Sequence, residues 1–300
     1  MRKLIKLSGK RVFPGLSLLI WLMMTFGSAY AADFNDVEKI LGVPGQMQEG
    51  AVVFSFPRSD IKVTIDGEPV PTAFGFGSWT AWKEMRKESM VMGDLVLLEK
   101  EINPVISVLA EANINVTALH NHFIGEIPRI MYMHVYGMGE KTALARGIRT
   151  ALDKTGTPKP VSAATPTTQP SSQLNTKRLQ EIIGQTGKEG GGVLKITLGR
   201  AGVKMGRTEV TSSMGLNTWV AFIGTNERAH VAGDVAMTAS EVNKVIRALR
   251  KGGIDIAAVH NHMLDEQPRI FFLHYWGTGP AEKLAQTVRE AFDRAKGQVR

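Results

Sequence analysis

His120-Asn121-His122 and His260-Asn261-His262 stand 140 residues apart in one chain. Each opens a segment of the form H-N-H-x3-E-x-P-R-I-x3-H. One copy continues through Glu126, Arg129 and His134, the other through Glu266, Arg269 and His274. Six of the seven histidines lie in these two segments. Imidazole is the commonest protein ligand for zinc and its neighbours. On an extended backbone, residues i and i+2 share a face about 7 Å apart, so His120 and His122 can converge on one ion. Glu126 follows just past the expected bend and can add a carboxylate oxygen. Two His, one Glu and an open coordination position make a catalytic-type metal site, and His260, His262 and Glu266 repeat the set.

The same residues admit plainer roles. The histidines continue the alternating run Ile114, Val116, Ala118, the face expected to point into the core, so a buried hydrogen-bond network or a metal-free pocket is the alternative. If the strand turns back tightly near Gly125, His134 lies roughly 20 Å from His120 and outside its shell; a wider connection, or approach of the other half, would bring it in. Arg129 and Arg269 each follow a proline that fixes the local backbone. They could clamp an anionic group bidentately, or pair with Glu126 and Glu266. Asp94 and Asp234, each after a glycine, read as turn residues, with outer-shell acids as the alternative. Trp79 and Trp219 read as core residues.

The elements that must position these residues also come in two copies. Val37–Gly42 and Leu179–Gly184 read as short opening helices, and Val53–Val63 and Leu194–Val203 as strand pairs. A helix beginning near Glu101, with Pro104 in its first turn, matches one capped by Thr238 and Glu241 and stopped at Gly252-Gly253. A strand carrying the histidines, a second apolar strand from Arg129 or Arg269, and a closing helix (Glu140–Leu152, Pro280–Phe292) complete each copy. The expected fold is α+β: two homologous repeats, each a mostly antiparallel sheet with helices on one face, related by a pseudo-two-fold axis.

A length of 300 residues suits two domains of roughly 150. Five basic residues before Val12, an apolar run Leu16–Phe26 and Ala29-Tyr30-Ala31 read as a secretory signal, residues 1–31, cleaved after Ala31. Without those five, 31 basic residues face 28 acidic ones, a net of +3, which argues against nucleic acid as a partner. No stable membrane span is expected after cleavage. Repeat 1 then covers 32–153 and repeat 2 covers 176–300. Between them, 154–175 carries four prolines among Ser, Thr and Gln and reads as a solvated linker. The chain has no cysteine, so neither disulfides nor thiolate ligands enter its chemistry. A periplasmic or secreted location is the expectation.

From Asp36 to Phe292, the duplicated ALHNH…PRI…H and AVHNH…PRI…H segments, with the export signal and the length, resemble a bacterial family of unknown function named after the lipoproteins LppY and LpqO. The resemblance implies an exported two-repeat protein and no particular reaction. This chain lacks the cysteine that a lipoprotein anchor requires.

Three functions compete on this reading. The first is a divalent-metal protein, zinc foremost, in which metal-bound water hydrolyses a small-molecule or envelope-derived substrate, with Glu126 or Glu266 as general base and Arg129 or Arg269 holding an anionic group. The second is a non-catalytic periplasmic binding protein for a metal or an acidic small molecule. The third is a structural envelope protein with a buried His/Arg/Glu network.

Overall fold

A computed structural model describes residues 33–158 and 173–295 in full, with a terminal strand, Gln298–Val299. The expected signal segment and most of the expected Pro-rich linker lie outside the described residues.

Repeat 1 comprises α1 (Asn35–Leu41), β1 (Gln46–Gln48), β2 (Ala51–Pro57), β3 (Val63–Ile65), β4 (Glu68–Val70), β5 (Gly77–Glu84), β6 (Ser89–Leu98), α2 (Glu99–Glu111), β7 (Asn115–His120), β8 (Glu126–Ile127), β9 (Ile130–Gly139) and α3 (Lys141–Leu152). Repeat 2 continues with α4 (Thr176–Ile183), β10 (Lys188–Gly190), β11 (Val193–Arg200), β12 (Lys204–Met205), β13 (Thr208–Glu209), β14 (Asn217–Gly224), β15 (Ala229–Met237), α5 (Ala239–Lys251), β16 (Asp255–His260), β17 (Glu266–Gln267), β18 (Phe271–Gly279) and α6 (Ala281–Arg294).

The two main sheets run β1-β2-β5-β6-β9-β7 and β10-β11-β14-β15-β18-β16, antiparallel throughout, and the terminal strand adds to β11. Both halves are the α+β repeats expected. Local chemistry sets the helix ends. The Glu140 carboxylate accepts from the amides of Thr142 and Ala143 to start α3, and Glu241 accepts from the Thr238 amide to start α5. Gly42 and Gly184 end α1 and α4 in the left-handed conformation.

The alternation of strand side chains divides each main sheet between two environments. In repeat 2, Leu194, Ile196 and Leu198 of β11 pack with Leu179, Val245, Leu249, Val288 and Phe292 of the helices. Lys195 and Thr197, on the opposite face, look toward the other repeat.

The expected strand pair over Val53–Val63 is instead one long strand, β2, and a separate short one, β3. β3 pairs with β4 and β8 in a three-stranded arm, and β12 does the same with β13 and β17. Each arm reaches across. Val63, Ile65 and Val70 bury against Val193, Ala221, Ile223 and Ala232 of the other repeat, and Val203, Met205 and Val210 against Ala51, Ala81, Met90 and Met92. A fully buried side chain of this size contributes on the order of 1.5–3 kcal/mol, so the reciprocal arms lock the halves together.

Candidate metal centre

β7 and β16 carry the histidines, and each contains a register shift. Val116 pairs with Val135, but Ala118 pairs with His134; Ile256 and Ala258 repeat the pattern. The extra residue, Thr117 in repeat 1, flips the side-chain phase of the rest of the strand. Ile114 and Val116 therefore do not share a face with His120, contrary to the alternation read from the sequence. In repeat 2, Ile254 and Ile256 pack against the helix-side core, whereas the histidines face the space between the repeats.

The same register decides the position of His134. The connection from His120 to Ile130 is a wide loop with β8 inside it, not a tight turn. His120 faces Tyr132, and His134 lies two residues further along β9, opposite Ala118. His134 and His274 thus join the cluster, and the 20 Å separation expected of a tight hairpin does not occur.

All six histidines meet at the pseudo-two-fold axis, and they pair between repeats. Ring centroids are 3.6 Å apart for His120 and His260, 3.6 Å for His122 and His274, and 3.8 Å for His134 and His262. His122 stacks on Tyr132 at 3.3 Å and His262 on Phe272 at 3.4 Å. Two triads, His120–His260–His274 and His134–His260–His262, each bring one ring nitrogen per residue within 4.8 Å of the others. His260 belongs to both. The expected sets, confined to one repeat each, are therefore replaced by sets drawn from both.

Backbone carbonyls fix the tautomers. His274 Nδ1 lies 3.1 Å from the Gly233 oxygen, His262 Nδ1 3.0 Å from that of Gly215, and His260 Nδ1 3.2 Å from that of Asn261; the His134 ring bonds the Gly93 backbone. A carbonyl can only accept, so each of these nitrogens carries the proton and Nε2 keeps its lone pair. The Nε2 atoms of His134, His260, His262 and His274 have no hydrogen-bond partner among the described residues, nor has either nitrogen of His120 or His122. Apart from half-buried His260, the rings are only 2% to 8% exposed. Burial, aided by mutual repulsion for most of them, holds every one neutral. His260 and His262 are pushed down to about 3, and the other four are likewise held well below the usual imidazole range. Neutral imidazoles with fixed, unshared Nε2 lone pairs can hold a metal ion.

Two acids complete the centre. Asp94 and Asp234 are not turn residues; they sit mid-strand in β6 and β15, opposite His134 and His274. Asp94 lies 3.9 Å from His122 and 4.0 Å from His134, and Asp234 lies 3.4 Å from His262 and 3.9 Å from His274. Burial raises Asp94 to about 8, with Asp234 adding repulsion, and raises Asp234 to about 7. The glycine before each acid lets the strands approach closely. A Cβ on Gly93 would meet the Trp79 carbonyl oxygen at 2.6 Å, and one on Gly233 would strike Trp219 and Tyr275. The middle asparagines brace the loops. Asn121 donates to the Phe123 carbonyl, and Asn261 to those of Met263 and Thr117, while the Thr117 hydroxyl donates to the His262 carbonyl across the axis. The shared offset of forty residues in Asp94/His134 and Asp234/His274 is the sequence signal that could have found the acids.

Glu126 and Glu266 lie elsewhere. Each accepts through Oε1 from the amide four residues on, Ile130 at 3.3 Å and Ile270 at 3.0 Å, and neither belongs to the nitrogen triads. Arg129 is exposed. Arg269 donates to the carbonyls of Met263 and Leu264 and lies 3.5 Å from Glu266. Neither arginine lines the cavity that opens on the histidines, so the anion clamp expected of them is not built there. That cavity, about 770 Å³, is walled by Trp79, Trp219, Asp94, Asp234, Lys195 and hydroxyl-bearing residues such as Ser78 and Thr197, with His122, His134, His262 and His274 at its floor.

No curated protein matches the chain significantly. Among solved structures, it is similar to the trimeric bacterial microcompartment shell protein PduB (12% identity, 83% of this chain and 89% of that one, TM-score 0.21). It is also similar to EtuB from Clostridium kluyveri (8% identity, 83% and 88%, TM-score 0.19). Scores this low support no conclusion about fold or function. A family model described as Domain of Unknown Function (DUF1259) matches twice, over residues 35–154 and 177–294, one match on each repeat. The chain belongs to that family and carries its domain in duplicate.

Proposed function

We propose that this is an exported protein that holds a divalent transition metal, zinc foremost, at the junction of its two repeats. The observation that carries the reading is the set of four imidazoles, each bonded to backbone, whose inward Nε2 atoms have no hydrogen-bond partner among the described residues. A buried polar atom left unpaired costs about 1–3 kcal/mol. A cluster of such atoms at one point is costly unless something else bonds them. A cation there would also keep Asp94 and Asp234 ionised, so two carboxylates would balance the ion's charge.

The likeness to the LppY/LpqO proteins supports export, as does the leader-like first segment. The cavity beside the centre supports hydrolysis of an envelope-derived ester, amide or phosphate by metal-bound water. Asp94 or Asp234, in place of Glu126 and Glu266, would then take up the proton. A non-catalytic metal carrier is the second reading. It is favoured by the near-equivalence of the ligands that the two repeats supply, since catalysis needs only one competent set.

Metal analysis of the purified full chain tests the proposal. One or two ions per chain are expected, lost in the His120→Ala/His260→Ala double variant. Substoichiometric metal that the double variant leaves unchanged overturns it. Turnover of a panel of simple esters and phosphoesters separates hydrolase from carrier.

A further inference from the structure

The two repeats supply matching histidines and acids to the centre, yet the cavity wall above it is not symmetric. In repeat 1, Gln46 of β1 faces Val53 of β2, and Val53 in turn pairs with Ala81. In repeat 2, the same positions are Lys188 of β10 and Lys195 of β11, with Lys195 paired to Ala221. Residues directly opposite on antiparallel strands share a face, and both lysines line the cavity. Like charges so placed repel, and a fold has no reason of its own to set two ammonium groups side by side.

Among the described residues, no carboxylate neutralises the pair at contact distance. Lys195 Nζ lies over the Trp219 ring, 4.3 Å from its centroid, and neither lysine has a side-chain hydrogen bond or ion pair among the described residues. The acids that also line the cavity are otherwise placed. Glu49 accepts from the Ser213 amide, and Asp94 and Asp234 sit down among the histidines. Lys195 keeps surface open to the cavity, but protein atoms crowd it enough that desolvation lowers its pKa, against the pull of both aspartates. Trp79 and Trp219 provide flat apolar walls between this cationic side and the histidine floor. Gly215 closes the Trp79 side: a Cβ there would meet the indole at 2.9 Å.

We propose that this cavity binds a small organic anion in one orientation, its carboxylate or phosphate on Lys188 and Lys195, its body against Trp79 and Trp219, and its far end at the histidine centre. The identification of the far end rests on the metal reading above; the anion subsite does not. The volume, about 770 Å³, suits a molecule of metabolite size. Because only one of two equivalent walls is cationic, the pseudo-symmetric cavity has a single polarity, and a ligand enters it in one sense.

The test uses the full chain, metal-free and zinc-loaded, with three probes of similar shape: benzoate, phenyl phosphate and neutral benzamide. Binding is followed by titration calorimetry and by quenching of tryptophan fluorescence. One of the two anions is expected to bind at least tenfold more tightly than benzamide, and to do so without metal. Whichever anion binds identifies the group the subsite prefers. The Lys188→Gln/Lys195→Val variant carries residues that repeat 1 already accommodates at this register, and it should lose that preference tenfold or more while its metal content stays unchanged. Adding Gln46→Lys and Val53→Lys to that variant should restore binding from the opposite wall. Lys195→Met alone serves as a milder second variant, with a partial loss expected. Equal affinity for benzamide, no saturable binding of either anion at millimolar concentration, or anion binding that needs zinc and ignores the lysines would each overturn the proposal. Loss of metal with anion binding intact would sink the metal reading and leave this one standing.

Discussion

Each repeat buries two kinds of polar cluster, and they differ in one respect. At one end of β2, Arg58 is fully enclosed, donating to Asp60, to both oxygens of Glu101 and to the Val96 carbonyl, while Glu101 also accepts from the amides of Leu98 and Gly156. Arg200 repeats this with Glu241 and the Ala236 carbonyl. Every charge there has a partner. At the axis, five of the six histidines are as deeply buried and all six are as faithfully duplicated, yet their inward nitrogens have no hydrogen-bond partner among the described residues. Duplication alone therefore does not mark a functional site. The satisfied cluster ties β2 to the helix α2, and its copy ties β11 to α5; the other has the unpaired nitrogens that a ligand site would need.

The largest expected difference between the two is their response to acid. In the unfolded chain each histidine takes a proton near pH 6.5. In the fold His260 and His262 resist until about 3, and burial holds the other four well below their usual value too. Their contribution is complete above pH 6.5 and is lost progressively as the pH falls toward 3. Asp94, at about 8, and Asp234, at about 7, act in the opposite sense. The unfolded chain releases their protons near pH 4, so the cost of keeping them grows from there up to pH 7–8. Six groups outweigh two below pH 6.5. The metal-free protein should be most stable near pH 7 and lose several kcal/mol by pH 5, at on the order of 1 kcal/mol per pH unit for each unopposed histidine. Melting temperature against pH checks this; a flat profile between pH 5 and 8 would mean the cluster is not buried as described.

Removing one member of the satisfied cluster should cost nearly as much by a different route. Arg58→Ala leaves Glu101 buried without its main partner, and breaking such a pair costs about 3–5 kcal/mol. Chemical denaturation should report that loss, while metal per folded chain stays the same. A change in metal content would mean the two clusters are coupled.

These two clusters were unequally legible in the sequence. The repeat, the helix cap at Thr238 and Glu241, and the type of each element follow from local patterns, which one sequence displays. The histidines stood out because their types and spacing recur. Their grouping was hidden, because it depends on the extra residue Thr117 and on pairing across an axis that no local pattern encodes. Asp94 and Asp234 were misplaced for a related reason. A glycine before an aspartate is ordinary turn chemistry, and only the register of β6 against β9 puts that pair mid-strand beside a histidine. Lys195 carries no such mark, since a lone strand lysine is usually solvated.

A ligand should move the two clusters apart in the next experiment. Zinc at a hundredfold excess over its dissociation constant stabilises the folded chain by about 2.7 kcal/mol. The same addition to the His120→Ala/His260→Ala variant should leave its melting temperature unmoved. The metal-free variant should match or exceed the metal-free parent in stability, because it removes three buried ring nitrogens that have no hydrogen-bond partner among the described residues. A large fall in its stability without metal would favour a structural network at the axis.

The smallest effect sharpens the boundary of the centre. Glu266 was a natural ligand candidate, yet its Oε1 accepts from the Ile270 amide at 3.0 Å and its residue is wholly buried. As a brace for the loop, it is replaceable by any side chain that keeps the acceptor. Glu266→Ala should cost about 1–3 kcal/mol, the penalty for a buried amide left unpaired. Glu266→Gln, which retains an oxygen there, should recover most of that, and both should bind zinc with parental stoichiometry. A ligand would behave the other way round, since the amide substitution would weaken metal binding tenfold or more while leaving the metal-free fold intact. Measuring denaturation midpoint and zinc content on the same two variants therefore separates a residue that shapes the loop from one that holds the ion.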